Sequence, residues 1–404
     1  MAYRTLKAQF HAKGEQGANE LYRRRIDSES TLKWEFLIGQ DPAFCVLTPE
    51  LMLLHERVFL LDKAISTLWS QLPLGASVGY LNTLLVREIE ATNDIEDVRS
   101  TRQEITEALR AKLDDGGSKK RFQELARLYK ALLGQEYPLP QDAKGIRVIF
   151  DAITDGELEA DDLIEGPLFR LGSTRIMGGT KVIHQGLPAS VIESRIEDVI
   201  AVLNSTDVPG LMAAMVSHFM FEYIHPFYDG NGRTGRFLMA QKLQTVVSTV
   251  SALTLSSSIN VAKHRYYKAF ENAEHKLNRG DLTPFVTEML NFLLESQGEM
   301  LRDLEARKLL FDDLSEQIHG RNADSAKQVR QNQELFILGQ VWLFDETRVI
   351  QLDELAAQFK ETKQTIRNDL SVLEDAGLVE ISSPRPLTVT LTEEACRELG
   401  LKNG

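Results

Sequence analysis

The sequence predicts a mainly α protein: a helical bundle with a small β-hairpin, followed near the C-terminal end by a compact unit of mixed α and β structure. Three observations carry that expectation. Leu211 to Ile224 and Phe237 to Leu253 are long apolar stretches separated by the polar, glycine-rich HPFYDGNGRTGR, and helices apolar on most faces belong in the middle of a bundle. Short β-prone runs such as Lys181 to His184 lie among Gly172, Gly178, Gly179 and Gly186 in the segment Gly166 to Leu187, which reads as a hairpin. Finally, LDELAAQF and KQTIRNDLSVLEDAGL precede the alternating VEISSPRPLTVTLT, two helices joined by a short turn and then a two-stranded ribbon.

A chain of 404 residues exceeds the roughly 250–300 at which one core stops growing. Three segments are expected: an N-terminal helical region at 1–135, a bundle at 136–319, and a C-terminal unit at 333–404. With 43% hydrophobic and 26% charged residues, the chain has apolar surface enough for a core and is not of the disordered class. The formal charge of −13 argues against a protein that grips nucleic acid over its whole surface. Cys45 and Cys396 sit far apart without metal-ligand spacing. The opening MAYRTLKAQFHAKGEQGANELYRRR lacks the apolar run of a secretory signal or membrane span, so a cytoplasmic protein with no membrane partner is expected.

Residues 1 to about 45 are mixed in character. Leu47 to Leu72 reads as helix, with Thr48 as cap, Pro49 in the first turn and Glu50 at the positive end of the dipole. Further helices are expected at about Val78–Val98, Thr101–Leu113 and Lys120–Leu133. The prolines and glycine of EYPLPQDAKG (136–145) mark a connector. The polar GRNADSAKQVRQNQ (320–333) marks a second boundary before the apolar ELFILGQVWLF.

The loop from His225 to Arg236 carries the chemistry. Pro226 stops the preceding helix, leaving His225 at its end, positioned and facing the loop instead of buried. Gly230, Asn231 and Gly232 allow close approach of backbone to a ligand just before a new helix, whose free amides suit phosphate. Arg233 and Arg236 share a face of the first turn; cations there oppose the helix dipole, which makes sense where anions bind. Asp229 adds a carboxylate, and magnesium is normally held by one or two carboxylates together with substrate phosphates. Taken singly, the histidine reads as a helix cap and Asp-Gly-Asn-Gly as a plain turn. Together they specify phosphoryl or nucleotidyl transfer.

HPFYDGNGRTGR resembles the signature of the Fic family, histidine-proline-phenylalanine-any-acid-Gly-Asn-Gly/Lys-Arg-any-any-Arg, without departure at a fixed position. The resemblance implies a Fic-type helical bundle and a protein adenylyltransferase. His225 would be the general base for a target Ser, Thr or Tyr hydroxyl attacking the α-phosphate of ATP. Asp229 would hold Mg²⁺, with Mn²⁺ as the alternative. Gly230, Asn231, Gly232, Arg233, Thr234, Gly235 and Arg236 would form the nucleotide cradle, and Phe227 would be core. Tyr266 and Tyr267 of HRYYKAF, with GDLTPF at 280–285, are similar to the family's later helices, and those tyrosines would line the adenine pocket. The stretch from about Arg170 to His184 resembles the target-binding flap, which would pair with an extended segment of the target.

Upstream, ATNDIED (Ala91 to Asp97) resembles the family's inhibitory pattern, Ser/Thr-any-any-any-Glu-Gly/Asn, with Thr92 and Glu96 fitting and Asp97 departing. On a helix Thr92 and Glu96 share one face. The family role has Glu96 pair with Arg236 and deny it to the γ-phosphate; the bland alternative is a surface ion pair. Residues 351–392 resemble a winged helix-turn-helix, with Lys363, Gln364, Thr365 and Arg367 opening the recognition helix. Residues 331–404 hold 7 Lys or Arg against 13 Asp or Glu, which favours protein contact or dimerisation over DNA. The expected partners are a target protein with a hydroxyl side chain and a second copy of the chain. Two other functions stay open: removal of AMP from a modified protein, with Glu96 orienting water, and a nucleotide-sensing transcription regulator.

Overall fold

Small hydroxylated and acidic residues begin many of the helices. Thr5, Thr101, Asp142, Ser248, Ser325, Thr362 and Thr392 each accept a hydrogen bond from a main-chain N–H three residues on, satisfying donors that a helix start leaves unpaired. The computed structural model describes residues 3–111, 121–134, 137–178 and 181–401, with the backbone alone at 176–178 and 181–183. Expected features at Leu113, Lys120, Glu136 and Gly179 lie outside the described residues.

The chain divides into two compact units, 1–62 with 85–298, and 63–84 with 299–404. In the first, the helices Gly210–Ile224 and Asn231–Gln244 are buried along nearly their whole length. The helices Gln123–Leu133, Ala143–Ile153 and Ala189–Asn204 contribute one apolar face each to the same core. The predicted run Phe237–Leu253 is not one helix: after Gln244 a turn intervenes before the short helix Thr249–Ala252. Phe227 is fully buried and stacks on Phe150 with centroids 3.7 Å apart. The hairpin Arg175–Gly178 with Lys181–Gln185 is antiparallel, pairing Arg175 with Gln185.

The boundary expected between 135 and 136 is crossed by one continuous core, in which Leu85, Ile89, Ile105 and Tyr129 pack in the same cluster as Ile149, Phe221 and Phe237. The stretch 1–45, left unassigned from sequence, forms the helix Leu6–Ile26 and an antiparallel hairpin, Thr31–Ile38 with Asp41–Val46, that turns at Gly39 (φ 63°). Buried Asp281 ties this region to GDLTPF, accepting from Tyr3 Oη at 2.7 Å and Arg25 Nη1 at 2.9 Å. Gly280 (φ 77°) permits the contact, since a Cβ there would lie 2.3 Å from the Pro42 carbonyl oxygen.

In the second unit, the helix Ala326–Phe344 runs through the boundary expected at 333. Its polar first half is solvated while Leu335, Leu338 and Leu343 are buried, so the change of composition marks a change of environment along one helix. The helices Leu352–Phe359 and Lys363–Asp375 follow, with strands in the order Ile350–Gln351, Leu387–Leu391, Val379–Pro384. The two-stranded wing thus gains a short third strand. Among the described residues no helix is long and apolar enough to cross a membrane.

Phe227→Ala removes a fully buried aromatic and is expected to cost about 3–5 kcal/mol. Calorimetry reads this as a lowered unfolding midpoint, and an unchanged midpoint contradicts the packing role.

Candidate active site

His225 ends its helix in the left-handed region (φ 52°, ψ 65°), donating its N–H to the Phe221 carbonyl at 3.0 Å. That conformation is uncommon outside glycine and clusters at functional sites. The expectation that the ring is positioned instead of buried is corrected: His225 is positioned and only 9% exposed. The reason is packing from the hairpin, where a Cβ on Gly186 would stand 3.2 Å from His225 Cβ and the His184 ring lies 6.2 Å away. Burial first, then the charge of His184, pushes the imidazole down to about 3, so it is neutral near pH 7.

The backbone around His225 is fixed by Arg170, which sequence reasoning noted only as the start of the flap. This fully buried side chain donates to the carbonyls of His225 at 2.8 Å, Gly172 at 2.6 Å and Leu187 at 2.6 Å. Its own N–H donates to Pro226 O at 3.1 Å. His184, on the hairpin, contacts the Glu274 carboxylate at 2.7 Å through Nδ1 and the Tyr223 carbonyl at 3.0 Å through Nε2.

The cradle uses its residues in distinct ways. Gly230 (φ 76°) caps the helix, and a Cβ on it would lie 2.5 Å from Thr154 Cγ2. Asn231 spends its side chain within the loop, accepting from Phe227 N and donating to Phe227 O, both at 2.9 Å. Thr234 donates to Gly230 O at 2.9 Å. Arg233, expected as a free phosphate cation, is buried and paired through Nη1 with Glu157, a residue absent from the sequence-based site. The exposed Asp229 accepts from Gly230 N at 2.6 Å through Oδ1. Burial and then the charge of Asp229 raise the nearby Asp162 carboxyl. Among the described residues no group of three metal-ligating side chains occurs, and a cation carried by a polyphosphate needs only one or two carboxylates.

Arg236 is turned inward and 1% exposed. Its Nε donates to Thr92 Oγ1 at 2.9 Å, its Nη2 to the Thr92 carbonyl at 3.0 Å, and its Nη1 lies 2.8 Å from Glu96 Oε1. The helix carrying Thr92 runs from Leu74 to Ile95, so Glu96 sits in the turn beyond its end and not inside a helix reaching 98. Asp97 closes that turn at φ 56°, a conformation open to Asp, Asn and Gly, which is how the chain accommodates its departure from the pattern. Gly232 makes room for the carboxylate: a Cβ there would meet Glu96 Oε1 at 2.0 Å.

Of the two tyrosines, Tyr266 is buried with its hydroxyl against His218 Nε2 at 2.7 Å, so it packs the core and does not line an open pocket. Tyr267 is half exposed and donates to the Ile95 carbonyl at 3.0 Å. Two acids missed in the sequence stand close by. Glu88 is fully buried, accepts from Ser256 N and Oγ, and is pushed up by burial to about 7. Burial and then the charge of Glu96 push Glu222 up to about 8. The signal for Glu222 was present, a lone charge in the apolar LMAAMVSHFMFEYI.

Residues 121–243 match the Fic/DOC family and residues 341–381 the DeoR-like helix-turn-helix domain. The chain is 37% identical over 73 residues to the protein adenylyltransferase Fic of Nematostella vectensis, covering 18% of this chain and 15% of that one. To the protein adenylyltransferase Fic of Culex quinquefasciatus it is 30% identical over 125 residues, 31% of this chain and 23% of that one. The chain thus matches less than a quarter of the length of these relatives. The crystal structure of a Fic family protein from Desulfovibrio desulfuricans G20 superposes with a TM-score of 0.54 at 21% identity, covering 86% of this chain and 97% of that one. This shows a shared fold.

Two outcomes are expected from this geometry. In a histidine NMR titration His225 and His218, both pushed down to about 3 by burial, stay neutral through pH 5, where an unperturbed imidazole of pKa about 6.5 is mostly charged; either ring titrating near 6.5 contradicts the burial. Gly232→Ala should cost about 1–3 kcal/mol in the wild type and much less alongside Glu96→Gly, a double-mutant cycle that additive effects would refute.

Proposed function

From a chain whose residues 121–243 form a Fic/DOC domain, we propose a protein adenylyltransferase that moves AMP from ATP to a Ser, Thr or Tyr hydroxyl of a target protein and is restrained by its own Glu96. One observation supports it above the others. An imidazole kept unprotonated by burial stands one carboxyl group, that of Glu222, away from the first turns of a helix whose Arg236 points inward.

His225 takes the proton of the target hydroxyl, the usual task of a neutral imidazole. The hydroxyl oxygen then forms a bond to the α-phosphorus while the bond to diphosphate breaks, and diphosphate leaves with that electron pair. The free N–H groups opening the helix Asn231–Gln244, with its dipole, hold the phosphate oxygens. Arg236 holds the γ-phosphate, orienting the α-phosphorus towards the hydroxyl. Asp229 would hold the Mg²⁺, or Mn²⁺, that ATP carries, since one carboxylate oxygen remains after its bond to Gly230 N, and the ion would neutralise polyphosphate charge. In the resting chain Thr92 binds Arg236 through Nε and Nη2 and Glu96 pairs with Nη1, so a γ-phosphate that takes Nη1 displaces Glu96.

The helix-turn-helix match at residues 341–381 supports a second reading, a transcription regulator that senses nucleotide. The excess of acid over base in residues 331–404 weighs against DNA as its partner.

Incubation with α-labelled ATP and a cell lysate tests the proposal. Glu96→Gly should raise labelling by about tenfold for each 1.4 kcal/mol by which it frees Arg236. His225→Ala in that background should lower it by about 10²–10⁴-fold. Undiminished labelling without His225 overturns the enzyme reading, and equal labelling with and without Glu96 overturns the restraint.

A further inference from the structure

The guanidinium of Arg170 is 1% exposed, and the oxygens that receive its N–H groups are main-chain carbonyls. A buried cation held without a carboxylate costs stability. What an arginine alone supplies is a rigid planar fork whose Nε, Nη1 and Nη2 point in different directions. Here they reach three separate stretches of chain. Nη1 donates to the Gly172 carbonyl, shortly before the strand Arg175–Gly178, and Nη2 to the Leu187 carbonyl, just beyond the strand Lys181–Gln185. Nε donates to the carbonyl of His225 itself. The two ends of the hairpin and the main chain of the proposed base thus share one ion.

We propose, resting on the transferase reading above, that Arg170 is a positioning residue for the transfer. By clamping both ends of the hairpin to the main chain of His225, it fixes which hydroxyl of a target segment lying along the hairpin meets the base. Among the described residues each strand of the hairpin pairs with the other alone, so each keeps an outer edge of main-chain groups. His184 on the second strand brings the hairpin to 6.2 Å, ring to ring, from His225. An extended segment added to such an edge is held in a definite register by main-chain hydrogen bonds. Register along the hairpin becomes position at the His225 ring only if hairpin and base keep one geometry, and Arg170 makes that connection.

The neighbouring residues are shaped around the same clamp. Gly186 has no room for a side chain: a Cβ would lie 2.6 Å from Arg170 Nη2, 2.8 Å from Thr174 Cγ2 and 3.2 Å from His225 Cβ. Main-chain bonds from Arg170 N to Pro226 O and from Leu187 N to Ile224 O, both at 3.1 Å, run beside the guanidinium. At the entry end of the hairpin Tyr228 Oη accepts from Gly172 N at 2.8 Å and donates to Glu165 Oε2 at 2.9 Å. His225 holds φ 52°, an uncommon conformation that persists only where its surroundings fix it, and the Nε bond to its carbonyl is one such restraint. A lysine has no fork with which to bridge the three stretches, so Arg170→Lys keeps the charge and loses the clamp.

The test maps where AMP lands. Glu96→Gly, Glu96→Gly/Arg170→Lys and Glu96→Gly/Tyr228→Phe are incubated with α-labelled ATP and with extended peptides carrying hydroxyls at successive positions. Mass spectrometry locates the modified residues on the peptides and on the chain itself. Hydrogen exchange is followed at the amides of residues 170 and 187, which are bonded to Pro226 and Ile224. Glu96→Gly should favour one position. Arg170→Lys should spread the label to hydroxyls two positions away, the next that face the same way along a strand. It should also lower kcat by about 10²-fold, the effect of a misplacement of about 1 Å, with the KM for ATP unchanged and both amides exchanging faster. Tyr228→Phe alters a partly exposed side chain at the entry end alone; it should spread the label with a smaller fall in kcat, and it decides the question if the lysine variant does not fold. A purely structural role would lower every labelled position in proportion. The same distribution of label in every folded variant overturns the proposal, as do unchanged exchange rates in Arg170→Lys. If Glu96→Gly labels nothing while the amides still follow Arg170, the transferase reading fails and the clamp stands.

Discussion

A guanidinium that is 1% exposed cannot be left without oxygen partners, because an unpaired buried charge costs several kcal/mol. Arg236 satisfies that demand through Thr92 and Glu96, and much of the surrounding structure follows from it. The helix Leu74–Ile95 must end where Thr92 can present both its hydroxyl and its carbonyl. The chain must then turn sharply enough, at Asp97, to bring Glu96 back. Position 232 must carry no side chain, because the carboxylate occupies its space.

Burial, more than this arginine, sets the ionisation of the neighbouring groups. Burial keeps His218 and His225 neutral and holds Glu88 and Glu222 towards their protonated forms, while Arg236 keeps its charge against Glu96. The site therefore holds one ion pair among groups that burial holds towards their neutral forms. Arg170 plays the complementary part on the hairpin side, tying the backbone at His225, Gly172 and Leu187 into one piece.

The segment from His225 to Arg236 was legible in the sequence because its constraints are local: Pro226 ends a helix, Gly230 takes a left-handed turn, and an apolar run on each side leaves the loop between two buried helices. Glu96 could be aligned with Arg236 only through the family pattern, since 140 positions separate them and no local rule brings them together. Glu157 and Asp281 were not legible. An acid on a loop looks the same in sequence whether it meets solvent or a buried arginine, and these two meet Arg233 and Arg25. The N-terminal hairpin did alternate in TLKWEFLI, but its lysine and glutamate masked a face buried only towards its end. The helix Ala326–Phe344 was divided in error because polar composition was taken for a boundary where the helix simply runs out of cover.

The most direct test of this account is a pair of crystal structures with magnesium and ATP, one of the wild type and one of Glu96→Gly. With glutamate in place, Arg236 should remain with Glu96 and the γ-phosphate should lie elsewhere. In the glycine variant Arg236 should hold the γ-phosphate, with the α-phosphorus turned towards the His225 ring. The same nucleotide pose in both crystals, or a γ-phosphate that never meets Arg236, would contradict it.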